Sequence, residues 1–232
     1  MSPLVVLLAH GSPDPRSSAA VDDVAKRLEI HLEGPAVRVA YLNHNWPTLT
    51  AAIGRERDAG CVKDVIVLPL LLSNASHALR DVPAAVADAQ RDNRIEISVG
   101  QTVGMELRLA LTLDTQVPRG TPIVLAWAGG RSTQAQDATQ QLVNAWHRAT
   151  GREIVAAPAS ESGEFLREAV SELHIRTGVT PALATFTLFP GVLADQVAAV
   201  AKDLDLTQTT PLFETTELVE ILAERLSQTT PA

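Results

Sequence analysis

Short apolar runs alternate along this chain with longer segments whose apolar residues recur at helical spacing. Residues 4–9 form the first run, and in the segment after it Val21, Val24, Ala25 and Leu28 fall on one helical face. Repeated strand–helix units are typical of a parallel sheet covered by helices, so we predict an α/β fold. In the first half, strands are predicted near residues 4–9, 36–42, 64–70 and 94–99, and helices near 17–32, 48–59, 80–90 and 105–115.

The same pattern restarts at Pro122, where the apolar run 122–127 resembles the run 4–9. Residues 116–122 contain two prolines and a glycine, a composition typical of a linker. We therefore predict two similar domains, 1–117 and 118–232, each a parallel sheet flanked by helices, with the active site in the cleft between them. In the second half, strands are predicted near 122–127, 153–157, 182–188 and 205–208, and helices near 132–149, 163–176, 192–202 and 215–227.

Composition narrows the class of protein. The 232 residues carry a net charge of −8, which argues against a nucleic-acid or acidic-membrane partner, because such partners require clustered Lys and Arg. Cys61 is the only cysteine, so neither an intrachain disulfide nor a thiolate metal cage can form. The N-terminal apolar run is too short to span a bilayer. We expect a cytoplasmic monomer.

Two histidines follow two of the predicted strands. His10 ends the first strand, and His77 follows the third. In a sheet of strand order 2-1-3-4 these strands are neighbours, and their connections diverge to open a crevice at the carboxyl edge. Neutral imidazole suits divalent Fe, Co, Ni and Zn, and two such ligands leave coordination positions open. The sequence therefore predicts a site that holds a divalent metal loosely.

Polar residues near these histidines are candidates for binding a substrate. Ser12 is placed either to begin a helix or to donate a hydrogen bond to a ligand. Arg16 and Arg80 are candidate anchors for substrate carboxylates, with a solvated surface position as the alternative. Asp81 could orient an imidazole or lie on a helix surface, and Asp14 is predicted to cap the first helix.

The segments 10–16 (HGSPDPR) and 77–83 (HALRDVP) together resemble the sirohydrochlorin chelatase family of class II chelatases, in its two-domain long form. The resemblance implies two chelatase-like domains and insertion of Fe²⁺ or Co²⁺ into sirohydrochlorin, in sirohaem or cobalamin biosynthesis. It makes His10 and His77 the pair that handles the metal and abstracts protons. Sirohydrochlorin and the metal are then substrates, and no permanently bound cofactor is implied.

The sequence departs from the family pattern after the second strand. The family usually has a glutamate where Asn43 stands, and an amide is a poorer ligand that cannot accept a proton. We expect Asn43 to contact the substrate. The adjacent His44 could replace the carboxylate only by pointing the same way, whereas neighbouring strand residues point to opposite faces. Ala75 also stands where the family usually has a glycine.

The second half lacks the histidines and is interpreted as a degenerate repeat. Trp127 aligns with His10, and Leu193 falls near the counterpart of His77. We therefore expect no metal in this half. Trp127 is predicted to stack on a flat macrocycle, with a core position as the alternative.

Other functions remain open. One alternative is a non-catalytic carrier of a tetrapyrrole or a metal that has lost turnover with the carboxylate. Another is histidine-dependent phosphoryl transfer, which expects an arginine before His10, where the chain has Ala9. A dinucleotide site is disfavoured because no G-x-G-x-x-G follows a strand.

Overall fold

The computed structural model describes residues 3–60, 62, 64–72, 80–130 and 132–230. Strands and helices alternate along the chain as the sequence predicts. The strands are β1 (Leu4–Ala9), β2 (Val37–Tyr41), β3 (Val65–Leu70), β4 (Ile97–Val99), β5 (Ile123–Trp127), β6 (Ile154–Pro158) and β7 (Ala182–Thr185). The helices are α1 (Pro15–Leu32), α2 (Leu49–Asp58), α3 (Val82–Asn93), α4 (Leu107–Asp114), α5 (Thr133–Thr150), α6 (Glu164–Thr177), α7 (Val192–Asp203) and α8 (Thr216–Ser227).

The first sheet is parallel and has the order β2-β1-β3-β4, which confirms the predicted order. Strand β1 is buried throughout and pairs on both edges, with Val5 opposite Val37 and Leu4 opposite Val65. Its alternate residues Leu4, Val6 and Leu8 belong to a core that helices α2 and α3 complete. Burial of the whole strand explains its unbroken apolar run.

The second sheet is parallel with the order β6-β5-β7, so it repeats the arrangement of the first three strands. The predicted strand near 205–208 is wrong. Only an isolated bridge joins Leu183 to Gln208 there, with Leu183 N donating to Thr207 O and Thr209 N donating to Leu183 O. Leu206 is the residue of this polar segment that packs against the core. Pro211 follows shortly after it, and a proline cannot donate a ladder hydrogen bond, so the pairing does not extend further.

The chain forms two compact units that differ from the predicted division at 117/118. One unit comprises Met1–Gly104 with Leu218–Ala232, and the other comprises Met105–Glu217. Helix α4 therefore belongs with the second sheet. Buried Arg152 explains this, because its guanidinium contacts Asp114 at the end of α4. The same guanidinium donates to Pro118 O, Thr121 O and Val117 O, so the predicted linker is fastened to the second unit.

The C-terminal helix returns to the first unit. Arg225 of α8 donates from Nε to Thr102 O at 3.3 Å, and Ser98 of β4 donates from Oγ to Thr230 O at 2.9 Å. The first unit is thus built from both ends of the chain. In the described part of the chain, no helix combines the length and apolarity that a membrane crossing requires.

Candidate functional site

His10 directly follows β1 at the carboxyl edge of the first sheet. Strand β1 lies between β2 and β3, so His10 is at the centre of that edge, where open α/β sheets bind ligands. The residue is half-buried. The sequence prediction for the position of His10 is therefore matched by the fold, whereas His77 lies outside the described residues.

The imidazole of His10 is oriented by its neighbour. Its Nδ1 lies 3.1 Å from Gly11 O. Because a carbonyl oxygen only accepts, this contact is a hydrogen bond when Nδ1 carries the proton. In the neutral ring Nε2 then holds the lone pair that can bind a metal or accept a proton.

The segment after β2 is fastened to the segment after β1. Beyond the paired strands, Leu42 N donates to Ala9 O and Asn43 N donates to His10 O, both at 2.9 Å. Gly11 has φ +90°, and a Cβ there would stand 1.8 Å from Asn43 O. A glycine is therefore required at position 11 for this close approach of two backbones.

Asn45 completes the connection, and the sequence analysis missed it. Its Oδ1 accepts from Ser12 N at 2.7 Å, and its own N–H donates to Asn43 O at 2.7 Å. The side-chain contact joins residues 33 positions apart, so residue spacing offered no signal for it. Asn45 thus locks together the two segments that carry His10 and the residues after β2.

His44 lies beside His10. The centroids of the two rings are 6.3 Å apart, with 44° between their planes. The strand-alternation argument against His44 is wrong, because β2 ends at Tyr41 and His44 adopts a left-handed conformation with φ +62°. This conformation carries its side chain to the His10 side of the segment. Asn43 is exposed.

Ser12, Asp14 and Arg16 form the start of α1. Asp14 is the N-cap, since its side chain accepts from Arg16 N at 2.9 Å, which confirms the predicted cap. Ser12 Oγ accepts from Asp14 N at 3.1 Å. The guanidinium of Arg16 contacts both carboxylate oxygens of Asp14, and this hydrogen bonding lowers the pKa of Asp14. Arg16 is exposed.

Arg80 and Asp81 lie at the start of α3, the helix that follows β3. Arg80 is exposed, and Asp81 occupies the N-cap position of the helix. A cavity of about 590 Å³ lies beside this helix at the ends of β3 and β4, lined by residues that include Pro69, Val86 and Gly100. On the helix side, apolar residues of α3 line the cavity together with Gln90.

No group of three or more His, Cys, Asp or Glu side chains is close enough to hold a metal among the residues that the structure describes. His10 and His44 therefore form a pair, and no third side chain of these types among the described residues is close enough to complete a metal site with them. The CbiX family model matches residues 4–119, half of the chain.

The chain belongs to the CbiX family.

Relatives of this CbiX-family chain include metal chelatases. The sirohydrochlorin ferrochelatase of Bacillus subtilis (strain 168) is 24% identical over 212 residues, covering 85% of this chain and 78% of the relative. The sirohydrochlorin cobaltochelatase of Methanococcus maripaludis is 34% identical over 120 residues, covering 52% of this chain and 83% of the relative. These matches confirm the predicted family.

Solved structures confirm the fold of this CbiX-family chain. SirB from Bacillus subtilis, solved with Fe³⁺, superposes with a TM-score of 0.83 at 19% identity, covering 98% of this chain and 95% of SirB. CbiX, described as the terminal enzyme of sirohaem biosynthesis in denitrifying bacteria, has a TM-score of 0.63 at 20% identity, covering 97% and 98%. Both support an α/β fold with two parallel sheets.

The second sheet of this CbiX-family chain corrects the alignment of Trp127. Trp127 pairs with Pro158 as the last pair of β5 and β6, just as Ala9 pairs with Tyr41 in β1 and β2. Trp127 is thus the counterpart of Ala9, and Ala128 is the counterpart of His10. A shift of one residue turns a side chain to the opposite face of a sheet. Trp127 is half-buried, so it is not a fully buried core residue.

The residue predicted near the counterpart of His77 lies in α7, whereas His77 itself lies outside the described residues. Between β3 and α3 the chain has residues 71–81, whereas residues 186–191 join β7 to α7. The second connection is shorter than the first. Leu193 lies inside α7 and not in this connection.

Proposed function

We propose that this chain is a sirohydrochlorin chelatase, which inserts Fe²⁺ or Co²⁺ into sirohydrochlorin on the routes to sirohaem or cobalamin. The observation that carries the proposal is His10, an oriented imidazole at the centre of the carboxyl edge in a chain of the CbiX family. Relatives named ferrochelatase and cobaltochelatase support both metals.

Metal insertion exchanges two pyrrole N–H protons of the macrocycle for one divalent cation, so two protons must pass to bases. Nε2 of neutral His10 has the lone pair needed to bind the entering metal or to accept a proton. His77, assigned from the sequence, shares these two roles in the proposal. The metal is a substrate, and the proposal includes no permanently bound cofactor.

Binding of the macrocycle requires cations for its carboxylates and flat surfaces for its ring. The proposal assigns Arg16 and Arg80 to the carboxylates, each near the N-terminus of a helix, where the helix dipole also favours anions. Ser12 and Asn43 contribute hydrogen bonds near His10, and Trp127 offers a half-exposed ring.

Trp46 and Arg55 add support that the sequence analysis missed. The Trp46 side chain is 58% exposed two residues after His44, and Arg55 Cζ lies 3.9 Å from the ring centroid. The pair presents an aromatic face together with a cation, which suits a flat polycarboxylate. Both residues lie in the same unit as His10.

The proposal has the chain acting as a cytoplasmic monomer with sirohydrochlorin and the metal as its partners. Its single cysteine suits a reducing compartment, and its negative charge does not suit nucleic acid. The mass of the purified chain in solution tests the monomer.

The test of the function is the rate of the sirohydrochlorin absorbance change with Co²⁺ and with Fe²⁺. We expect wild type to accelerate insertion, His10→Ala to abolish the acceleration, and the exposed His31→Ala to retain it. Equal rates for wild type and His10→Ala would contradict the proposal. Binding of both substrates without insertion would indicate the carrier instead.

A further inference from the structure

Two imidazoles approach each other at the carboxyl edge of the first sheet. The ring centroids of His10 and His44 are 6.3 Å apart, and the ring planes are inclined by 44°. His44 is exposed and His10 is half-buried, so an ion can reach both residues from solvent. The two rings are tilted and are not stacked flat on each other.

The separation of the rings is close to that of two histidines on one ion. Imidazole nitrogen binds first-row metals at about 2 Å, which places the centroids of two coordinated rings about 4.5 to 5.5 Å apart. The observed 6.3 Å is larger by about 1 Å, so shared binding requires the exposed His44 side chain to rotate towards His10.

The backbone around both rings is held in place. Asn43 N donates to His10 O at 2.9 Å, one residue before His44. Asn45, one residue after it, accepts from Ser12 N at 2.7 Å. His44 itself has φ +62°, an uncommon conformation for a non-glycine residue that these flanking bonds maintain. Ligands held on a rigid frame bind a metal with less loss of conformational entropy.

The structure thus points to a role for His44 that the proposed function does not include. We infer that His44 binds the entering divalent metal together with His10, before the metal passes to the macrocycle. The inference rests on the proposed function in that the same ion is the substrate. An imidazole pair selects Co²⁺, Ni²⁺ and Zn²⁺ over Mg²⁺ and Ca²⁺, which prefer oxygen ligands.

The experiment measures Co²⁺ binding to the full chain by calorimetric titration, with no tetrapyrrole present. We expect His44→Ala and His10→Ala each to weaken Co²⁺ binding at least tenfold and to change the visible spectrum of bound Co²⁺. His44→Asn is the second variant, because Asn tolerates the left-handed conformation and removes only the imidazole. His31→Ala, an exposed histidine in α1, is the matched control and should stay within twofold of wild type.

Each outcome decides one claim. Wild-type Co²⁺ affinity in both His44 variants would overturn the inference, provided that His10→Ala weakens binding. Wild-type affinity in His44→Asn alone would mean that His44 acts through the conformation of its segment, which also overturns it. Unchanged affinity in His10→Ala would remove the metal site of the proposed function as well. Intact Co²⁺ binding by His10 and His44 without insertion would refute the chelatase activity and leave this inference standing.

Discussion

Gly11→Ala should uncouple the two segments that carry His10 and His44. A Cβ at position 11 would stand 1.8 Å from Asn43 O, so that carbonyl must retreat by more than about 1 Å to reach ordinary contact. The left-handed backbone at φ +90° costs an L residue about 1 to 2 kcal/mol. Loss of the hydrogen bonds from Asn43 N to His10 O and from Ser12 N to Asn45 Oδ1 costs about 1 kcal/mol each. The expected loss of unfolding free energy is about 3 to 4 kcal/mol.

Urea denaturation of the full chain measures this loss, and Gly60→Ala is the matched control. Gly60 also has a positive φ, +72°, but among the described residues no atom beyond its chain neighbours lies within 4 Å of a Cβ placed there. Its substitution therefore costs the backbone term alone, about 1 to 2 kcal/mol. We also expect Gly11→Ala to slow metal insertion and Gly60→Ala to leave it unchanged. Equal destabilisation by the two substitutions would refute the close-approach argument.

Two further predictions concern parts of the fold outside the metal site. Arg152→Ala should destabilise the second unit by about 3 to 5 kcal/mol in urea, because it removes the buried guanidinium that pairs with the Asp114 carboxylate. Co²⁺ binding by the same variant should match wild type, and a loss of Co²⁺ binding would contradict the separation of roles. Burial raises the pKa of Tyr41 from 10.0 to about 12, with the charge of Asp22 adding to it. The stabilising contribution of the neutral phenol is therefore complete below pH 10 and is lost as the pH rises from 10 to about 12. Tyr41 is the chain's only tyrosine, so phenolate absorbance reports it directly, and a midpoint at 10.0 would refute the shift.

The regular elements were predictable because local patterns determine them. Strand β1 was located from its apolar run, and helix α1 from Val21, Val24 and Leu28 on one face together with the cap at Asp14. The strand expected at 205–208 failed because its residues gain a single bridge, which depends on where Leu183 lies rather than on local sequence.

The remaining features depend on contacts between residues far apart in sequence, and local patterns do not predict such contacts. The unit boundary depends on Arg152, which fastens residues far from it in sequence, so a Pro- and Gly-containing segment was mistaken for a linker. The position of His44 depends on β2 ending at Tyr41 and on a positive φ, and neither shows in residue spacing. The alignment of Trp127 was wrong by one residue because apolar runs do not reveal where a strand ends.

The central claim is that His10, at the carboxyl edge of the first sheet, holds the metal that is inserted. Anomalous diffraction at the cobalt edge, from crystals of the full chain soaked in Co²⁺, tests it most directly. The account predicts an anomalous peak about 2 Å from a ring nitrogen of His10. A Co²⁺ peak elsewhere, with none within about 4 Å of the His10 ring, would contradict it.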